Sequence, residues 1–123
     1  MASFSEPPDR GKIYKICSQT VWAAIRTLDA WTGSPDDLRD GFIHFSASHQ
    51  LPGTIHKHFS GQSSLVVISI DANRLGDQLR WEPSRDGDLF PHLYAPMPLT
   101  AVIETRDLVM SDDGLIEGVD AGE

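Results

Sequence analysis

The sequence predicts an α+β domain. Two stretches carry apolar residues at helical spacing, about five or six short β-prone runs surround them, and no internal repeat orders them into identical units. A chain of 123 residues with 40% hydrophobic and 23% charged residues can bury a single core without staples. One folded unit is therefore expected over residues 11–110, behind a flexible N-terminus at 1–10 that contains Pro7-Pro8.

The first element is a strand, Lys12 to Cys17 (KIYKIC), bounded by Gly11 and Ser18. From Thr20 to Trp31 the period changes: Val21, Ile25 and Leu28 recur at helical intervals, and Ser18 or Thr20 can cap the N-terminus. TGSPDD, at 32–37, ends this helix as a loop. GFIHFS, at 41–46, is the second strand. Ser46 or Ser48 offers an N-cap for a second helix, HQLPGTIHKHF at 49–59, with Pro52 in its first turns and Gly61 closing it.

Ser64 to Asp71 (SLVVISID) is a continuous β-branched run without breakers, so it reads as a central strand covered on both faces. A short strand follows at Leu79 to Glu82, between turns at Asp71–Asn73 and Asp86-Gly87. LFPHLYAPMPL, at 89–99, holds three prolines and is not expected to form a regular central element. Thr100 to Met110 is the last strand, with Ala101 to Ile103 as its apolar centre, and the acidic tail 111–123 is expected to be disordered.

Charge narrows the partners. The formal net charge is −8, but the segment after Met110 holds five acids and no base. Taking those five from the 18 acids leaves 13 against 10 bases, a net −3 with no basic stripe for a nucleic-acid backbone. No apolar run approaches the roughly 18 residues of a membrane span. The N-terminus lacks a signal-peptide core, so cytoplasmic localisation is expected. The lone Cys17 allows no internal disulfide and reads as a core thiol.

Chemistry must come from other side chains. His49 and His56 read as solvated helix surface. His56 and His58, two apart on a helix, diverge by about 200° and cannot share a metal, so no metal site is expected. In the second strand Phe42, His44 and Ser46 share one face while Ile43 and Phe45 take the other. The Ile43/Phe45 face belongs to the core. His44 is then either a cleft-lining imidazole or a buried histidine bonded to backbone. His92, between prolines and near Tyr94, belongs either to a pocket wall or to a covering loop. Arg80, Trp81 and Glu82 could hold an anion, stack a ring and transfer a proton, or could be a solvated strand end. No GxGxxG, phosphate-binding GxxxxGK[ST] or GxSxG motif is present.

IYKI (13–16), DGFIHFS (40–46), HF (58–59), LRWEPS (79–84) and LFPHLYAPMPL (89–99) occur in an order that resembles the domain of unknown function 952 family over Ile13 to Ile103. That resemblance implies a fold like the ADP-ribosyltransferases: a split, mainly antiparallel sheet with two main helices and a cleft that holds NAD. IHFS at 43–46 is similar to the VHLS segment of bacterial RNA 2′-phosphotransferases, which implies a cleft position for His44. Tyr14 and Lys15 stand where such enzymes carry a His or Arg for the ribose. His92, with Glu82 behind it, is the nearest counterpart of their late-strand acid. The resemblance thus implies His44, His92 and Glu82 as catalytic residues. It also implies Tyr14, Lys15, His44, Ser46, Arg80, Trp81 and Tyr94 as binding residues, with Arg80 or Arg85 on the diphosphate.

Three functions are compatible with these residues. One is an NAD-dependent transferase or NAD hydrolase. The second is a non-catalytic binding domain for a small ligand. The third is a histidine-based hydrolase or lyase of a small metabolite. In each the partner is a small molecule, not nucleic acid or membrane, and the chain is expected to be monomeric.

Overall fold

The computed structural model describes residues 11–59, 61–62, 64–84, 87–110 and 116–117. The expected flexible N-terminus, the Arg85 side chain and most of the expected disordered tail lie outside these residues. Strand β1 (Lys12–Ser18) leads directly into helix α1 (Gln19–Ile25), whose N-cap Ser18 accepts from the Val21 amide. The helix stops six residues before the expected end at Trp31, which lies instead in β2 (Ala30–Trp31). Of the periodic residues only Ile25 is buried, while Val21 and Leu28 are exposed. Burying Trp31 against Met97, through pairing of β2 with β7 (Met97–Pro98), outweighs continuing an exposed helix.

The expected loop at 32–37 holds a further short helix, α2 (Pro35–Asp40). Ser34 accepts from the Asp37 amide, and the Asp37 carboxylate accepts from the Ser34 amide; Pro35 has the φ that the first helical position needs. Gly41 ends the helix at φ +90°. Among the described residues three α-helices, not two, therefore interrupt the sheets. The regular part of the second strand shrinks to β3 (Ile43–His44), and Ser46 makes an isolated bridge to Tyr14. A 3₁₀ turn at Ser48–Gln50 then enters α3 (Leu51–Phe59).

All the sheet pairings are antiparallel and fall into three groups among the described residues. The largest has the order β1-β4-β8-β9, with β4 (Ser64–Asp71), β8 (Val102–Met110) and β9 (Ile116–Glu117). β4 is the expected central strand, buried on both faces by alternate residues. β8 departs from expectation: Ile103 is exposed and Leu108 is the fully buried residue, because Leu108 lies beside Leu65 under α3. Within the tail, Ile116–Glu117 pairs with Val109–Met110.

The second sheet has the order β3-β6-β5, from β5 (Leu79–Pro83) and β6 (Leu89–Leu93). β6 is its central strand despite Pro91, which corrects the expectation from proline content. The Pro91 carbonyl accepts from the Phe45 amide. The donor that proline lacks would point to the same side, at the end of the two-residue β3 ladder, so no bond to β5 is lost.

The main core lies between these sheets: Ile13, Ile68 and Ile70 meet Ile43, Phe45, Leu93 and Met97. Each such side chain, fully buried, contributes about 1.5–3 kcal/mol. A second cluster, Ile16, Ile55, Leu65, Val67 and Leu108, lies under α3. β1 separates the two: Ile13 and Cys17 face the main core, and Tyr14 and Ile16 the other. Burial pushes the Cys17 thiol up to about 11, so it is an inert core residue.

Candidate histidine site

The pairing of β3 with β6 sets His44 opposite His92, and the pairing of β6 with β5 sets His92 opposite Arg80. The two imidazole centroids are 5.5 Å apart, edge to face. Phe42 stacks on His92 at 4.1 Å and packs against His44 at 4.6 Å and Tyr94 at 5.2 Å. Alternation along the strands keeps Ile43 and Phe45 in the core behind this ring cluster.

Each imidazole has its own carboxylate. His92 Nδ1 lies 2.8 Å from Glu82 Oε1, which also accepts from the Tyr94 hydroxyl at 2.7 Å. The Tyr94 and His92 bonds hold the Glu82 carboxyl below the usual range, and the same bond raises the Tyr94 phenol. Burial lowers the His92 imidazole, against the opposing pull of Glu82. Neutral His92 therefore donates Nδ1–H to Glu82 and carries its lone pair on Nε2. Among the described residues nothing bonds Nε2, and no buried side-chain nitrogen or oxygen lacks a partner, so this nitrogen reaches the surface.

His44 Nδ1 lies 2.6 Å from Asp37 Oδ1, and its Nε2 lies 3.0 Å from Asp40 Oδ2. A carboxylate thus stands at both nitrogens of a ring that is 36% exposed. Asp37 is buried and also accepts from Lys15 Nζ at 3.0 Å and from the Ser34 and His44 amides. Burial would raise its carboxyl, but His44, the Lys15 charge and the Ser34 amide together hold it well below the usual range.

Lys15 has the register of a core residue, and its ammonium sits between the Trp31 and Phe45 rings, 5.6 and 5.9 Å from their centroids. Burial lowers its pKa while Asp37 opposes. Besides Asp37 it donates to the His44 carbonyl at 2.7 Å. Lys15 is consequently behind the site, fixing Asp37 and β3.

The structure brings together His44, His92, Glu82 and Tyr94, and places Arg80 beside them with its guanidinium 5.4 Å from the Tyr94 ring. It does not bring Tyr14, Ser46 or Trp81 there. Tyr14 packs toward α3, the Ser46 hydroxyl bonds that of Thr54, and Trp81 packs on the main core from the opposite face of β5 to Arg80 and Glu82. Sequence reasoning missed Asp37 and Asp40, and placed Phe42 on the face of His44 without giving it a role. The Ser34-Pro35-Asp36-Asp37 capping pattern was the available signal for the first of these. Among the described residues no group of three or more His, Cys, Asp or Glu side chains is placed to hold a metal.

Comparison with known proteins finds a matching family and solved structures similar to this chain. A family model described as "Protein of unknown function (DUF952)" matches residues 16–105. The crystal structure of protein CC0527 from Caulobacter crescentus is 43% identical, with a TM-score of 0.80, covering 86% of this chain and 93% of that one. The solution structure of the same protein gives 44% identity and a TM-score of 0.75, covering 85% and 90%. No curated protein matches the chain. No helix among the described residues is long and apolar enough to cross a membrane.

Proposed function

The chain belongs to the DUF952 family, and from that premise we propose that His44 and His92 form an acid–base site acting on a small molecule. One observation carries the reading: two imidazoles 5.5 Å apart, each oriented by a carboxylate through Nδ1. A carboxylate on Nδ1 fixes the tautomer and leaves Nε2 of His92 open to a substrate, while Nε2 of His44 faces Asp40. His92 is the base. Its Nε2 takes a proton from a water or hydroxyl as that oxygen attacks, and the bond to the leaving group breaks with its electron pair. His44, between Asp37 and Asp40, orients the substrate or returns a proton to the leaving group.

The favoured substrate within this class is NAD, cleaved at the nicotinamide–ribose bond in a site of the ADP-ribosyltransferase kind. Support comes from the carboxylates of Glu82 and Asp40 beside an aromatic wall of Phe42, His44 and Tyr94. Acids close to a ring-stacking surface suit a developing oxocarbenium ion. Nicotinamide leaves neutral with the bonding pair, and water captures the ribosyl carbon and gives its proton to His92. Arg80 would take the diphosphate; Tyr14 and Lys15 are not placed to bind the ribose in this site.

The test is an NMR titration of the imidazole nitrogens with NAD, followed by chromatography for released nicotinamide. Shifts at His44 and His92, with release lost in His92→Ala, are expected. Silence at millimolar NAD sinks NAD as the substrate and leaves the hydrolase or lyase reading. Binding without release, over hours, favours a binding domain. Carbethoxylation by diethyl pyrocarbonate tests the base independently: His92 should react at Nε2, and an inert His92 would defeat the acid–base reading altogether.

A further inference from the structure

The opposite face of β1 carries a separate cavity of about 380 Å³. It lies where α3 covers only part of the β1-β4-β8 sheet. Leu51, Ile55, Val67 and Leu108 form its apolar wall, and Lys12 and Ser69 line it as polar groups. Its size is at the lower end of small-molecule sites, roughly 300–1,000 Å³.

Two of its groups have no polar partner among the described residues. Ser69 is 4% exposed, yet its hydroxyl bonds no described residue, and among those residues no buried side-chain oxygen or nitrogen is left unsatisfied. That hydroxyl must therefore open on the cavity it lines. Lys12 is one strand-diagonal from Ser69, because Tyr14 pairs with Ser69 and Lys12 with Asp71. Its ammonium makes no ion pair with a described residue, while Asp71 is turned to Arg74 and the Asn73 amide. The other charges lining the cavity, Glu104 and Arg106, oppose each other at 3.8 Å.

We propose that this cavity binds a small amphipathic carboxylate, its apolar body on Leu51, Ile55, Val67 and Leu108 and its head group on Lys12 and Ser69. The wall desolvates a short chain or ring, and the ammonium with the hydroxyl supplies the charge-assisted bonds that an anionic head group needs. The site is independent of the histidine site, which lies across the main core on the other face of β1.

The probe is octanoate, with 1-octanol as its neutral counterpart, followed by amide NMR of the full chain. Saturable shifts at Ile55, Val67, Ser69 and Leu108 are expected, with Kd on the order of 1 mM for so small a ligand. Lys12→Gln, on the rim, should weaken octanoate about tenfold and leave 1-octanol unchanged. Leu51→Trp should close the cavity to both. The proposal is overturned if no saturable shift occurs by 10 mM, or if Lys12→Gln affects acid and alcohol equally. It is also overturned if the same amides move on dilution without ligand, since a second copy of the chain would then cover the face.

Discussion

Asp37 holds His44 at two points, accepting from its backbone amide at 3.2 Å and standing 2.6 Å from its ring Nδ1. The same carboxylate caps α2 and neutralises Lys15. One buried acid therefore joins β1, α2 and β3. The orientation of the imidazole and the stability of the domain depend on the same group.

Asp37→Asn should be strongly destabilising, because it leaves the Lys15 charge buried without its counter-ion. Removal of one partner from such a pair costs about 3–5 kcal/mol. Urea unfolding measures this. Adding Lys15→Met to Asp37→Asn should recover part of the loss, and a double variant no more stable than the single one would show that the pair is not the cause.

Gly33→Ala should act on the same carboxylate from outside the site. Gly33 has φ +112°, and an added Cβ would stand 2.7 Å from Asp37 Cβ. Backbone strain of about 1–3 kcal/mol is expected together with displacement of Asp37. The Tm should fall and the His44 ring resonances should shift. An unchanged His44 spectrum would show that Asp37 does not govern its position.

Ser34→Ala removes the acceptor for the Asp37 amide and half of the capping box. The expected loss is about 1 kcal/mol. Thermal unfolding checks it, and a loss beyond about 2 kcal/mol would mean that Ser34 does more than cap α2.

Acid should destabilise the fold in two steps of the same sign. The folded-state pKa of His92 lies below the ordinary value near 6.5, so the unfolded chain takes up protons first and stability falls as pH drops below about 6.5. The Asp37 pKa is also lowered; its contribution is full above about pH 4 and is lost as pH falls further. Neither group predicts a loss between pH 7 and 9. Denaturation across pH 3–9 tests the pattern. Glu82→Gln should lower the His92 imidazole further, since it removes the carboxylate that favours the cation, and ring-nitrogen NMR reads this directly.

Much of the fold was legible in local pattern. SLVVISID has the unbroken β-branched run of a strand buried on both sides, and β4 occupies that place with Ser64 and Asp71 as its ends. The alternation in GFIHFS put Ile43 and Phe45 in the core and left Phe42 and His44 on the other face. The period of Thr20 to Trp31 misled, because a two-residue pairing with β7 buries Trp31 better than an exposed helix would.

What the sequence by itself determined is the α+β class, the central strand, the α3 helix and the face on which His44 lies. These depend on residue period and turn chemistry within a few positions of the chain. Only the tertiary structure decided that His44 meets His92, that Glu82 orients His92 and Asp37 orients His44, and that Lys15 lies behind the site and not in it. Such contacts depend on the register between strands and on which charge can be neutralised inside the core. Neither is fixed by spacing along the chain, because the partners are far apart in sequence and meet only when the sheets pack.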